Sequence, residues 1–129
     1  MANNCQVPTP TQYVNELLDC IGYSDNLYNK SVLENSCGEG NILKEIVRRY
    51  IITSLKEGYS NEQIIHGLER YITGYDVDPI CIKKCTETLN SLAQEYGLLG
   101  IHWNIHKQDY LKCNPSSYDY IIGNPPYIT

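Results

Sequence analysis

Apolar positions along the chain follow two periods. Val14, Leu17, Leu18 and Ile21 recur at helical spacing behind Thr9-Pro10, which reads as an N-cap with proline at the first helical position, and Gly22 closes that helix. Ser31–Glu34 predicts a short strand, and Asn35–Gly40 a turn with two glycines. Ile42, Leu43, Ile46, Val47, Tyr50 and Ile51 predict a helix that Gly58 breaks. Ser60 with Gln63 is a capping box that opens a further helix through Ile64, Ile65, Leu68 and Tyr71. Ile72–Asp76 predicts a second strand. Asp78-Pro79 is again an N-cap plus first-position proline, for a helix running to Gly97. Strands follow at Ile101–Ile105 and Asp119–Gly123, the last stopped by Asn124-Pro125-Pro126-Tyr127, because proline has no N–H to give a ladder.

Strands alternating with helices predict an α/β fold with a parallel sheet, whose ligands sit at the carboxyl ends of the strands. At 129 residues the chain is one domain, and 42% hydrophobic with 19% charged residues excludes wholesale disorder. No stretch is apolar and long enough to span a membrane, and no signal peptide opens the chain, so the expected setting is cytoplasmic. The six cysteines (Cys5, Cys20, Cys37, Cys81, Cys85, Cys113) include no C-x-x-C pair. Cys81 and Cys85 fall on one helix face rather than in a zinc knuckle, so reduced thiols and no metal are expected. Ten Lys+Arg against fifteen Asp+Glu leave a net charge of −5. A nucleic-acid grip normally shows a basic excess, so any phosphate contact must come largely from elsewhere.

Four segments carry candidate chemistry at those strand ends. In Glu34-Asn35-Ser36-Cys37-Gly38-Glu39-Gly40 the glycines let backbone approach a ligand, while the flanking acids repel pyrophosphate and suit a positive centre. Asp76, at the end of the second strand, is placed to accept from two ribose hydroxyls, whereas Asp78 is better read as the helix N-cap. Asp109 follows the third strand beside the same crevice. Asn124-Pro125-Pro126-Tyr127 presents a side-chain carbonyl and an outward backbone carbonyl, two acceptors for the two hydrogens of a planar NH2 group, with a tyrosine for a flat ring to stack on.

On these residues the chain resembles the S-adenosylmethionine-dependent amino-methyltransferases, and most closely the gamma-class N6-adenine DNA methyltransferases of type II restriction–modification systems. The resemblance covers nearly the whole chain. It implies a Rossmann-like class I methyltransferase fold holding the first four strands of a partial parallel sheet, and S-adenosyl-L-methionine as cofactor. Thr9 to Val14, with Thr9 and Tyr13, looks like the motif preceding the cofactor turn. Glu34, Ser36, Cys37, Gly38 and Gly40 are similar to the glycine motif that holds the methionine part. Asp76, with Val77 beside it, matches the ribose-binding acid, and Asp109, with Tyr110, the residue that reads the cofactor's adenine. Asn124 to Tyr127 matches the catalytic motif. The family usually has proline where this chain has Asn35.

By this resemblance the substrate is an adenine flipped out of double-stranded DNA in a bacterial cytoplasm. The same motif occurs in enzymes that methylate a glutamine of peptide release factors, with RNA guanine methylation a weaker third. From another class comes a non-catalytic cofactor-binding or assembly module. The chain stops two residues after Tyr127, where the resembling family continues with further strands and a target-recognition domain. Residues 1–129 are therefore expected to be the N-terminal, cofactor-binding part of a catalytic domain, inactive on DNA alone. The apolar edge of the fourth strand is expected to pair with a second copy.

Overall fold

The computed structural model describes residues 10–35, 40–107 and 118–123. Its elements are α1 (Thr11–Cys20), β1 (Val32–Glu34), α2 (Asn41–Lys56), α3 (Asn61–Tyr71), β2 (Ile72–Asp76), α4 (Pro79–Glu95), β3 (Asn104–Lys107) and β4 (Tyr120–Ile122). The strands form one parallel sheet in the order β3-β2-β1-β4. The chain thus runs outward from β1 through β2 to β3, then returns to place β4 on the other side of β1. The switch in strand order lies between β1 and β4, the position where open α/β sheets carry ligands. β1 is buried along its whole length.

Three of the four helices, α1, α2 and α4, stop at the glycines the sequence marks and by one device, while α3 runs straight into β2 with Ile72 extended. Gly22, Gly58 and Gly97 all have positive φ. At each, the glycine N–H and the next residue's N–H turn back onto the last turn: Tyr23 N to Leu18 O at 2.9 Å, Tyr59 N to Ser54 O at 3.0 Å, Leu98 N to Ala93 O at 3.0 Å. These are Schellman closures, which a side chain at the glycine would strain. The Ser60–Gln63 capping box is formed in both directions, at 3.1 and 2.9 Å. Asp78 caps α4 by accepting from Ile80 N at 2.9 Å, with Pro79 next.

The core lies between α1, α2, α3 and α4 and the sheet, with Leu18, Leu43, Ile46, Val47, Ile51, Ile64, Leu68 and Leu89 all fully buried. Tyr50 reaches from α2 to α3, where its ring fills the space over Gly67. A Cβ at 67 would overlap the Tyr50 hydroxyl and lie 2.9 Å from its Cζ. Gly67→Ala therefore sets a helix-propensity gain of about 1 kcal/mol against an overpacking cost of about 1–3 kcal/mol. The expected net loss of stability is read by urea unfolding, and a stabilised variant would contradict this packing. Arg49 of α2 ties down α1, donating to Asn15 O at 3.1 Å and Tyr23 O at 2.9 Å and pairing with Asp19 at 2.9 Å.

Several boundaries differ from the sequence expectation. Pro10 is the N-cap of α1, not its first helical residue, and Thr9 lies outside the described residues. β1 starts at Val32 and β4 at Tyr120; ahead of that first pair Ser31 and Asp119 are tied by side-chain bonds, and Ser31 O accepts from Tyr120 N at 3.0 Å where the ladder opens. β3 spans Asn104–Lys107 instead of Ile101–Ile105. The alternation Ile101, Trp103, Ile105 looks like a strand, but His102 N donates to Glu69 Oε2 at 2.9 Å and Trp103 Nε1 to Asn90 Oδ1 at 2.7 Å. Pairing with β2 begins only at Thr73–Asn104. Cys81 and Cys85 share the buried face of α4 as expected. Cys85 and Cys20 are free, but Cys81 is disulfide-bonded, which corrects the expectation of reduced thiols throughout.

Candidate functional site

The register brings the acidic strand ends together. Glu34, the last residue of β1, lies opposite Gly74 of β2 and Ile122 of β4. Asp76 ends β2 two residues beyond that rung. With parallel strands about 4.8 Å apart, the ends of β2, β1 and β4 form one row about 10 Å wide. Gly123 follows β4 at this end, and Asn124 is its covalent successor.

Glu34 is fully buried, so it bears on the site from inside the sheet end. A buried carboxylate is costly unless it faces donors or positive charge, which is why an acid at this point signals more than packing. Asp76 is half-buried. Its Oδ1 accepts from Asp78 N at 2.9 Å, which fixes the carboxylate's orientation across the turn into α4. Two large apolar side chains flank that turn in the open: Val77 is 64% and Ile80 56% exposed. Uncovered aliphatic surface beside an oriented carboxylate is what a nucleoside needs, apolar cover for a ring and acceptors for its sugar. The exposure of Ile80 was not legible in the sequence, since an isoleucine in the first turn of a helix reads as core.

Gly40 is the N-cap of α2, with φ +97°. A Cβ there would lie 3.2 Å from Cys85 Sγ and 3.4 Å from Cys85 Cα, so this glycine serves the close approach of α2 to α4. That is a second reason for glycine in the turn, one that spacing could not reveal. Tyr13 lies on the first turn of α1 and is 56% exposed. Thr9, Ser36, Cys37, Gly38, Asp109, Tyr110, Asn124, Pro125, Pro126 and Tyr127 lie outside the described residues. A separate cleft of about 530 Å³, lined by Tyr28, His66, Glu69, Arg70 and Tyr71 among others, sits where α3 runs into the start of β2, the opposite end of the sheet.

At that same amino end Asp119 locks β4 to β1. Its Oδ2 accepts from Ser31 N at 2.9 Å and Ser31 Oγ at 3.2 Å, while Asp119 N donates to Ser31 Oγ at 3.0 Å. The Ser31 N–H holds the Asp119 carboxyl below its ordinary value of 3.8. The folded state binds this proton less readily than the unfolded one, so the lock is complete above about pH 4 and is lost as pH falls further. Amide exchange at Tyr120–Ile122, measured below pH 4, is expected to quicken more than at Leu33. In Asp119→Asn that extra pH dependence should disappear, and its persistence would assign it to another group.

No protein-family model matches the chain. Among curated proteins it is 31% identical over 110 residues to modification methylase CviBIII of Paramecium bursaria Chlorella virus NC1A, covering 83% of this chain and 22% of that protein. It is 27% identical over 128 residues to type II methyltransferase M.BstVI of Geobacillus stearothermophilus, covering 89% and 23%. To type II methyltransferase M.XhoI of Xanthomonas vasicola it is 23% identical over 129 residues, covering 93% and 24%. The chain thus spans about a quarter of the length of the curated relatives it matches.

Among solved structures, an RNA methyltransferase from Salinibacter ruber, determined with S-adenosyl-L-homocysteine, superposes with a TM-score of 0.58 at 15% identity, covering 91% of this chain and 60% of that one. A precorrin 8W decarboxylase from Methanobacterium thermoautotrophicum superposes at 0.54 and 16% identity, covering 95% and 53%. The fold is therefore the Rossmann-like α/β fold of methyltransferases. Among the described residues no helix is long and apolar enough to cross a membrane, and no group of His, Cys, Asp or Glu could hold a metal ion.

Proposed function

We propose that this chain is the cofactor-binding part of a DNA methyltransferase of a type II restriction–modification system, which transfers a methyl group from S-adenosyl-L-methionine to the N6 amine of a flipped-out adenine. The observation that carries the reading is the row of strand ends at the switch point. Buried Glu34 and oriented Asp76 stand on adjacent strands, and β4 on the other side of β1 leads by sequence into Asn124-Pro125-Pro126-Tyr127. The similarity to type II methyltransferases over most of the chain supports the same reading.

S-adenosylmethionine, when bound, supplies an electrophilic methyl on a sulfonium. Asp76 would accept from the ribose hydroxyls, with Val77 and Ile80 offering apolar cover. Glu34 and the turn through Ser36, Cys37 and Gly38 to Gly40 would bear on the positively charged methionine end, with Thr9 and Tyr13 beside it and Asp109 and Tyr110 toward the adenine. An exocyclic amine on an aromatic ring is a weak nucleophile, because its lone pair is delocalised. The Asn124 side-chain oxygen and the Pro125 carbonyl would accept its two hydrogens and draw the lone pair out of the ring plane toward the methyl. Tyr127 would stack on the base, which must leave the duplex to be reached. The acidic balance of this chain leaves most of the phosphate grip to other segments of the full-length protein. The β4 edge, where Ile121 is 45% exposed, is the surface on which a second copy would pair.

The test has two arms. Calorimetric titration of S-adenosylmethionine into this chain is expected to saturate at one site. Incubation of the full-length protein with duplex DNA and labelled cofactor, followed by nucleoside analysis, is expected to give N6-methyladenine. Label in glutamine of a release factor, and none in DNA, would transfer the reading to the protein-glutamine enzymes. No binding and no transfer would reject it.

A further inference from the structure

Asn35, the residue after β1, is bound to the end of β4 in two ways. Its backbone N–H donates to Ile122 O at 3.1 Å, extending the ladder one rung past Glu34. Its side chain lies against Gly123. A Cβ built at 123 would overlap Asn35 Oδ1 and lie 2.9 Å from both Cγ and Nδ2. Gly123 is not among the glycines with positive φ. Backbone conformation therefore does not demand glycine at 123. The space does, because the Asn35 carboxamide already occupies it. Proline at 35 could make neither contact, since it lacks both the N–H and the amide.

Gly123 is the covalent neighbour of Asn124, so whatever fixes Gly123 fixes the point at which the chain leaves β4. We propose that Asn35 is a positioning residue: by bonding Ile122 and filling the space over Gly123, it holds the end of β4, the point from which the chain continues into Asn124 and Pro125. This rests on the methyltransferase reading above. Asn35 touches neither cofactor nor substrate in this account, so its removal acts on the rate of transfer and not on cofactor affinity. Errors of about 1 Å in the placement of reacting groups cost on the order of 100-fold in rate, so a loosened exit is felt there first.

The experiment is a double-mutant cycle in the full-length protein with Asn35→Ala, Gly123→Ala and the pair. Each variant is assayed for kcat on duplex DNA, for Kd of S-adenosylmethionine and for thermal midpoint. Asn35→Ala is expected to lower kcat about 10-fold, and Gly123→Ala about 100-fold, with Kd within about threefold of wild type. The pair is expected to be faster than Gly123→Ala alone, because the added methyl takes the space the amide vacated; contacting residues give such non-additivity. Wild-type kcat in Asn35→Ala overturns the proposal, and so does an additive pair. Non-additivity in the thermal midpoint with unchanged kcat would also overturn it, leaving a packing contact alone. A wild-type protein that binds no cofactor and transfers no methyl fails the methyltransferase reading, whereas the thermal cycle still reports on the contact.

Discussion

Asp76→Ala should cost this chain most of its affinity for S-adenosylmethionine, about 100-fold in Kd. Two hydrogen bonds from ribose hydroxyls to a carboxylate are worth about 1.5–3 kcal/mol each in a closed site. Asp76 is half-buried, so solvent reduces the sum to about 2.8 kcal/mol, which is 100-fold at 1.4 kcal/mol per decade. The Asp76 side chain also accepts from Asp78 N, so a loss of stability of about 1 kcal/mol is expected beside the loss of affinity, while α4 keeps its own cap in Asp78 and Pro79. Asp76→Asn separates charge from shape, since an amide oxygen can still accept from Asp78 N. It should recover the turn and only a small part of the affinity. Calorimetric titration of the three proteins reads the effect. A Kd for Asp76→Ala within threefold of wild type would remove Asp76 from the cofactor site and leave it as a turn residue.

Asn124→Ala should show the opposite signature, with cofactor affinity intact and methyl transfer by the full-length protein slower by about 100- to 1,000-fold. That is the usual cost of removing one preorganised partner from a developing charge. In the proposed mechanism the Asn124 oxygen would offer little to the cofactor and would act only as the amine loses its conjugation to the ring. Single-turnover transfer with preformed protein–DNA complex isolates that step from binding and product release. Unchanged single-turnover rates in Asn124→Ala would show that a different acceptor activates the amine. If both outcomes hold, the two variants would divide the site into a binding strand end, β2, and a reacting strand end, β4.

Much of this protein is legible one segment at a time. Helix limits were fixed by signals that act over four residues or fewer: the Ser60–Gln63 box, the Asp78-Pro79 start, and the glycines at 22, 58 and 97 that close helices with positive φ. Asp78 as a cap and Asp76 as the strand-end acid were also separable by sequence, because an N-cap is recognised by the proline that follows it. Short-range rules failed at β3. Its alternating Ile101, Trp103 and Ile105 met the strand pattern, but the backbone N–H of His102 was taken by Glu69 of α3 and the indole N–H of Trp103 by Asn90 of α4.

The sequence by itself determined the element types, the parallel α/β class and the acidic residues closing β1 and β2, since hydrophobic periodicity, caps and turn chemistry are local properties. The tertiary structure alone decided which strand ends meet. The order β3-β2-β1-β4 sets Tyr120–Ile122 beside Val32–Glu34 although 88 positions separate the partners Leu33 and Ile121. It also gave three residues their reasons: Gly40 admits α4, Gly67 admits Tyr50, and Gly123 admits Asn35. A glycine's missing side chain leaves no trace in the sequence of what fills the space, because the neighbour that fills it arrives through long-range packing, where shape and not local propensity selects the partner.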